Sequence, residues 1–311
     1  MTPDRVRVPD SLAASHRTYF GAAGRTWISA LPALAEVFLD RWDLRPDGAP
    51  RNGAVALVLP VLREDGTPAV LKLQPVDEET RGEPAALREW AGQGAVTLLE
   101  ADAATGTMLL ERLDASRSLD DVDDDLAALE ILAQVLARLV AVPAPAGLRR
   151  LADVGAAVLD RAASARGQLA DPVERRLLDA CAGALREVLV EPGDRLLHWD
   201  LHYENVLASP PGSGRDPWLA IDAKPLAGDP GFDLLPALWN RWDEVERSGD
   251  TPRSVRRRFD LMTEVVGLAR ERATGWTLGR VLQTATWSIE EGATRLPAVP
   301  AAIARVLLRR R

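Results

Sequence analysis

Two periodicities divide the chain. Near the N-terminus apolar side chains keep helical spacing, with Trp27, Ile28, Leu31, Leu34, Val37 and Phe38 on one stripe. The pattern predicts a helix over Ser11–Phe20 and a second over Trp27–Trp42. Pro32 is expected to interrupt the second, so that its regular part begins there. Alternation then takes over. Asn52-Gly53 supplies a turn, Ala54–Leu62 reads as a strand, Glu64-Asp65-Gly66 turns the chain, and Pro68–Leu73 returns as the second arm of a β-hairpin. Glu78–Gly92 reads as a helix whose regular part starts near Glu83, because Pro84 is tolerated only in a first turn. Val96–Asp102 and Thr107–Leu113 complete a small sheet.

Beyond that point helical spacing dominates. Leu126, Leu129, Leu132, Val135, Leu136 and Leu139 mark one helix, preceded by the acidic run Asp120–Asp125, which suits the positive end of a helix dipole. Asp171-Pro172-Val173-Glu174 is a capped start to a helix reaching about Val190. Further helices are predicted from Leu234 and over about Pro252–Arg272, Gly279–Glu291 and Pro300–Leu308. The short basic runs Arg256–Arg258 and Arg309–Arg311 read as solvated surface. There is no internal repeat.

One stretch interrupts the helical pattern with chemistry. Leu196–Leu207 reads LLHWDLHYENVL, and after the Pro/Gly/Ser-rich turn Ser209–Gly214 the short apolar strand LAIDAK carries Asp222. Phosphoryl transfer needs a carboxylate to orient the attacking hydroxyl and take its proton. It also needs an amide oxygen and a second carboxylate as hard ligands for magnesium. Asp200 fits the first role, Asn205 and Asp222 the other two. The competing reading is a polar loop between two strands. His198 is read as bracing the start of the loop. His202 is either a packed polar side chain or an approach to substrate or metal, and His16 carries no assignment.

Composition narrows the classes. Hydrophobic content of 47% with 27% charged residues over 311 residues is ordinary for a globular chain able to bury a sizeable core. A net charge of −8 argues against a nucleic-acid partner and favours a cationic small molecule. The one cysteine, Cys181, excludes an internal disulfide framework and fits a reducing cytoplasm; its apolar helical neighbours predict a buried thiol. No long apolar run predicts a membrane span, and Met1–Asp10, with two Arg and two Asp, does not read as a signal peptide. Between Asp222 and Asp250 seven acidic residues face three basic ones, a field that would draw a guanidinium or ammonium group. Trp199, Trp239 and Trp242 are available there for cation–π contact, although each also reads as core. Glu204, Asp233, Trp239 and Asp243 are the candidate substrate contacts.

The segment HWDLHYENVL, followed by WLAIDAKPLAGDPGFDLLP, resembles the catalytic region of the protein-kinase-like antibiotic phosphotransferases. More narrowly it is similar to the aminoglycoside/hydroxyurea phosphotransferase family, in its streptomycin 6-phosphotransferase-like branch. The similarity runs from about Gly53 to about Asp243. Departures from eukaryotic protein kinases are plain. Trp199 stands where they have arginine, Ile221-Asp222-Ala223-Lys224 replaces Asp-Phe-Gly, and neither a G-x-G-x-x-G nor an A-P-E element is present. These absences argue against a protein substrate.

The resemblance implies an α+β, bilobal protein-kinase-like fold. Residues 1–113 would form a small N-terminal nucleotide-binding lobe with an antiparallel sheet and helices, and residues 114–311 a larger, mostly helical C-terminal lobe with catalytic loop and substrate site. It implies ATP and Mg2+ as cofactors. Lys72, one of only two lysines and flanked by apolar residues on its strand, becomes the lysine for the α- and β-phosphates; the alternative is an outward-facing edge lysine. Glu83 becomes its ion-pair partner, with Glu89 as the fallback. Met108–Leu113 becomes the hinge, where main-chain groups of Glu111 and Leu113 would meet adenine. Lys224 either steadies phosphate or lies at the surface.

The activity so implied is ATP-dependent O-phosphorylation of a small cationic, hydroxyl-bearing molecule, an aminoglycoside such as streptomycin, with antibiotic inactivation as the outcome. Alternatives are a metabolite or hydroxyurea kinase on the same fold, or a nucleotide-binding pseudoenzyme. The expected protein is a cytoplasmic monomer or weak dimer without nucleic-acid or membrane partners.

Overall fold

The computed structural model describes residues 6–309. The reading of Met1–Asp10 and of the Arg309–Arg311 run therefore lies partly outside the described residues. The backbone divides into two compact units. One comprises Met1–Gly92 and Val96–Leu113, the other Gln93–Ala95 and Asp114–Arg311.

The first unit opens with α1 (Asp10–Arg41), broken at Gly21, whose φ of 54° and ψ of −121° only glycine adopts at little cost. The expected interruption at Pro32 does not occur; the helix runs through it. After α1 come β1 (Arg45–Pro46), β2 (Arg51–Asn52), β3 (Leu57–Leu62), β4 (Pro68–Leu73), α2 (Glu83–Trp90), β5 (Leu98–Asp102) and β6 (Thr107–Glu111). The strands form one antiparallel sheet in the order β1-β3-β4-β6-β5, with β2 also on β3.

Alternation decides which face each residue takes. Leu57, Leu59, Val61, Ala69, Leu71 and Leu73 pack with Leu31, Ala35, Phe38 and Leu39 of α1 in one core. Val37, expected on that stripe, is 50% exposed. His16 is buried, with Nε2 against the Val55 carbonyl at 2.9 Å and its ring stacked on Trp27. The strand β4 spans Pro68–Leu73, as the sequence predicts. The strand β3 starts at Leu57, later than the alternation alone indicates, and α2 is limited to Glu83–Trp90.

The second unit holds β7 (Asp114–Ser118), α3 (Asp125–Leu139), β8 (Arg149–Arg150), α4 (Leu151–Gln168), α5 (Pro172–Val188) and β9 (Arg195–Leu197). It continues with β10 (Val206–Ala208), β11 (Trp218–Ala220), β12 (Leu226–Gly228), α6 (Leu234–Trp239), α7 (Trp242–Arg247), α8 (Thr251–Val266), α9 (Arg270–Glu290) and α10 (Ala298–Leu308). Helix α9 is central, packing on α4, α5 and α10. Its close approach to α5 depends on Gly275 and Gly279, where an added Cβ would collide with Val188 and Leu185 respectively. Cys181 is buried on α5, and burial pushes its thiol up to about 12.

Much of the acidic run is engaged within the protein, part of it locally and part by distant arginines. Asp121 and Ser118 form a capping box, Asp124 caps α3 through the N–H groups of Leu126 and Ala127, and Asp125 pairs with Arg258 at 2.6 Å. Arg258 corrects the surface reading of its basic run. It is 2% exposed, and besides Asp125 it donates to the carbonyls of Leu238 and Asn240 at 3.0 and 2.6 Å. A buried guanidinium needs such a full set of acceptors.

Candidate active site

Two small three-stranded sheets fix the loop His198–Asn205. One is β11-β10-β7, the other β8-β12-β9. Strand β9 delivers the chain to His198. The hairpin β10–β11 pairs Val206 with Ala220, and the Ile221 N–H donates to the Asn205 carbonyl at 2.9 Å. That contact places Asp222 beside Asn205. Strand β12 then returns antiparallel to β9, with Leu226 opposite Leu197, and the Lys224 N–H donates to the His198 carbonyl at 3.1 Å. Asp200, Asn205, Asp222 and Lys224 are thus neighbours because two hairpin registers make them so.

The side chains complete the arrangement. Lys224 Nζ donates to Asp200 Oδ2 at 2.9 Å, and Asn205 Nδ2 donates to the Asp200 carbonyl at 2.8 Å. Burial pushes the Asp200 carboxyl up, but the charge and hydrogen bond of Lys224 outweigh it, and its pKa lies below the ordinary value. Asp200 is therefore an ionised acceptor at neutral pH. Asp222 is half-buried and held at φ 60°, a left-handed conformation that aspartate tolerates better than most residues.

His198 is fully buried. Its Nδ1 accepts from the Asp200 N–H at 3.3 Å, which leaves Nε2 to donate to the Ile221 carbonyl at 3.0 Å. Burial lowers its pKa to about 4, so the ring is neutral and ties the loop to the strand after β11. Asp233, expected as a substrate contact, is instead beneath the loop. Its Oδ2 accepts from the His198 N–H at 2.7 Å and its Oδ1 from the Trp199 N–H at 3.0 Å, with no exposed surface. Burial raises its pKa to about 6.

Trp199 is also corrected. The residue is 2% exposed and its ring already faces cations of the protein itself, with Arg280 Cζ 4.1 Å and Arg149 Cζ 4.7 Å from the centroid. Of the remaining substrate candidates, Glu204 is largely exposed near His202, and Trp239 is half-buried at the end of α6. Asp243 is exposed and bonded to Arg247 at 2.6 Å. The acidic stretch attracts cations less than its composition suggests, since Asp229 and Asp243 are paired with arginines and Asp233 is enclosed.

In the first unit Lys72 is 5% exposed and lies on the face of β4 opposite Leu71 and Leu73. Its Nζ reaches Glu83 Oε1 and Oε2 at 2.7 and 2.9 Å. Gln74 also donates to Glu83 Oε2, at 2.6 Å, a partner the sequence pattern did not single out. Glu111 turns its carboxylate back to the Thr97 N–H at 2.7 Å, and Leu113 is the buried last residue of this unit. Arg149 and Arg280 were also missed, for neither belongs to a recognisable spacing around the loop.

Comparison with known proteins places these residues in context. Residues 41–292 match the family described as aminoglycoside/hydroxyurea antibiotic resistance kinase. The chain is 56% identical to a streptomycin 6-kinase of Streptomyces glaucescens over 306 residues, covering 98% of each protein. It is 55% identical to a hydroxyurea phosphotransferase of Kitasatospora aureofaciens over 307 residues, covering 98% of this chain and 87% of that one. Among solved structures, a thermostable mutant of the aminoglycoside phosphotransferase APH(4)-Ia, in ternary complex with ADP and hygromycin B, aligns with a TM-score of 0.57 at 15% identity. The alignment covers 88% of this chain and 97% of that one, and establishes the protein-kinase-like fold.

Proposed function

The chain belongs to the aminoglycoside/hydroxyurea antibiotic resistance kinases, and from that premise we propose that it transfers the γ-phosphoryl group of ATP to a hydroxyl of streptomycin. The observation that carries the reaction is the grouping of Asp200, Asn205 and Asp222 by the β10–β11 hairpin and the β9–β12 pairing, with the Asp200 pKa drawn down by Lys224. The choice of acceptor rests on the 56% identity to a streptomycin 6-kinase across nearly the whole of both proteins.

Asp200 orients the attacking hydroxyl and accepts its proton. Asn205 and Asp222 would hold magnesium: the amide nitrogen of Asn205 is committed to the Asp200 carbonyl, which leaves its oxygen for a hard cation. One amide and one carboxylate are the hard oxygen donors that such an ion would take from the protein. Neutralisation of charge on those oxygens is what bound magnesium supplies. Lys72, anchored by Glu83, contacts the α- and β-phosphates, and main-chain groups of Glu111 and Leu113 receive adenine. His198 and Asp233 do no proton chemistry; they hold the backbone on which Asp200 stands.

A second acceptor, hydroxyurea, is supported by the 55% identity to a hydroxyurea phosphotransferase. Incubation with ATP, magnesium and either streptomycin or hydroxyurea, read by product mass, separates the two. A streptomycin product heavier by one phosphate supports the leading reading. A phosphorylated hydroxyurea alone replaces it, and no product with either overturns both.

A further inference from the structure

We propose that Arg280 of α9, together with Arg149 of β8, is a positioning residue for Asp200 that acts through the indole of Trp199. Trp199 immediately precedes Asp200 and sits at φ 73°, a left-handed conformation that a bulky side chain adopts only when its surroundings enforce it. The enforcing contacts are visible. Asp233 accepts the Trp199 N–H at 3.0 Å, and Arg280 Nη2 donates to the Trp199 carbonyl at 3.1 Å.

The ring is held as firmly as the backbone. The Arg280 guanidinium carbon lies 4.1 Å from the indole centroid and that of Arg149 lies 4.7 Å away, a cation–π arrangement. Arg280 is 4% exposed and is steadied by Gln283 Oε1 at 2.8 Å. Arg149 does a second thing: its Nη2 donates to the Lys224 carbonyl at 3.2 Å. Since Lys224 Nζ holds Asp200 Oδ2 at 2.9 Å, the two arginines fix both the residue before the carboxylate and the cation beside it. A displacement of about 1 Å at a reacting group is enough to cost roughly a hundredfold in rate.

The inference rests on Asp200 being the base, and its test separates the two. In the full chain, with whichever of streptomycin and hydroxyurea gains phosphate, Arg280→Met should lower kcat roughly ten- to a hundredfold. KM for ATP should stay within about twofold, because only transition-state positioning is lost. Arg280→Lys, which keeps a cation over the ring, should recover part of the loss. Trp199→Leu should lose a similar amount, and Trp199→Leu/Arg280→Met no more than either alone. Should Arg280→Met fail to fold, Arg149→Met, at a half-buried position, carries the same non-additivity test against Trp199→Leu. Normal kcat at a reduced Tm, or losses that multiply, would overturn the proposal. An active Asp200→Ala control would overturn the base assignment and this inference with it, whereas an inactive control beside a normal Arg280→Met sinks the inference alone.

Discussion

Lys224 Nζ stands 2.9 Å from Asp200 Oδ2, although the two residues lie on opposite sides of a long hairpin. The approach is a consequence of strand register: β12 lies along β9, and the backbone of Lys224 is hydrogen-bonded to that of His198. The carboxylate is about a quarter exposed and its partner about a third, so the pair is accessible yet only partly screened by water. The basicity of Asp200 is therefore a balance between burial, which raises its pKa, and the neighbouring cation, which lowers it.

Removing that cation has a defined sign. Burial raises the Asp200 pKa, and Lys224 is the main influence that lowers it. In Lys224→Met burial acts unopposed by the ammonium, so the carboxyl should protonate at higher pH. The acid limb of the kcat/KM profile should then move to higher pH relative to wild type. A limb that stays in place would show that Lys224 does not tune this group.

The Lys72–Glu83 pair makes a prediction about stability. Both side chains are nearly inaccessible to solvent, and they are joined at 2.7 Å. Lys72→Met takes the cation from a buried carboxylate, to which Gln74 also donates, and should destabilise the protein by roughly 3–5 kcal/mol in urea unfolding. Lys72→Met/Glu83→Gln removes both charges and should cost clearly less than the sum of the single changes. Additive losses would contradict the pairing.

His198 and Asp233 should shape acid stability in opposite senses. The His198 pKa falls from 6.5 unfolded to about 4 folded, so between those values the unfolded chain binds the extra proton and stability rises with pH. The Asp233 pKa rises from 3.8 to about 6, so in that window the folded chain binds the extra proton and stability falls with pH. The neutral variant His198→Asn removes the first effect. Its unfolding free energy should therefore improve relative to wild type as pH drops from about 6.5 towards about 4. A constant difference across that range would mean that His198 is not held neutral by burial.

The sequence was most readable where chemistry or alternation is local. The span of β4 follows from the β-favouring run between Pro68 and Leu73, and the cap of α5 from Asp171-Pro172, whose Asp171 carboxylate does accept the Val173 N–H. The spacing of Asp200 and Asn205 with the later Asp222 was legible for the same reason.

What was not legible depends on contacts between distant segments. Composition makes Pro32 look like the helix breaker, yet the break falls at Gly21, where a positive φ carries the bend. The tryptophan beside Asp200 looks available to a ligand until Arg149 and Arg280 are seen over it. Arg258 looks solvated until Asp125, far away in sequence, is found as its partner. Charge counted along the chain overstated the field near Asp222 because it ignores such pairs.

The most direct measurement is turnover of Asp200→Ala, with ATP affinity determined by calorimetry on the same protein. Loss of a general base predicts a fall in kcat of roughly 10²–10⁴-fold, with ATP binding nearly unchanged. A variant that keeps more than about a tenth of the wild-type rate would contradict the assignment of Asp200 as the proton acceptor.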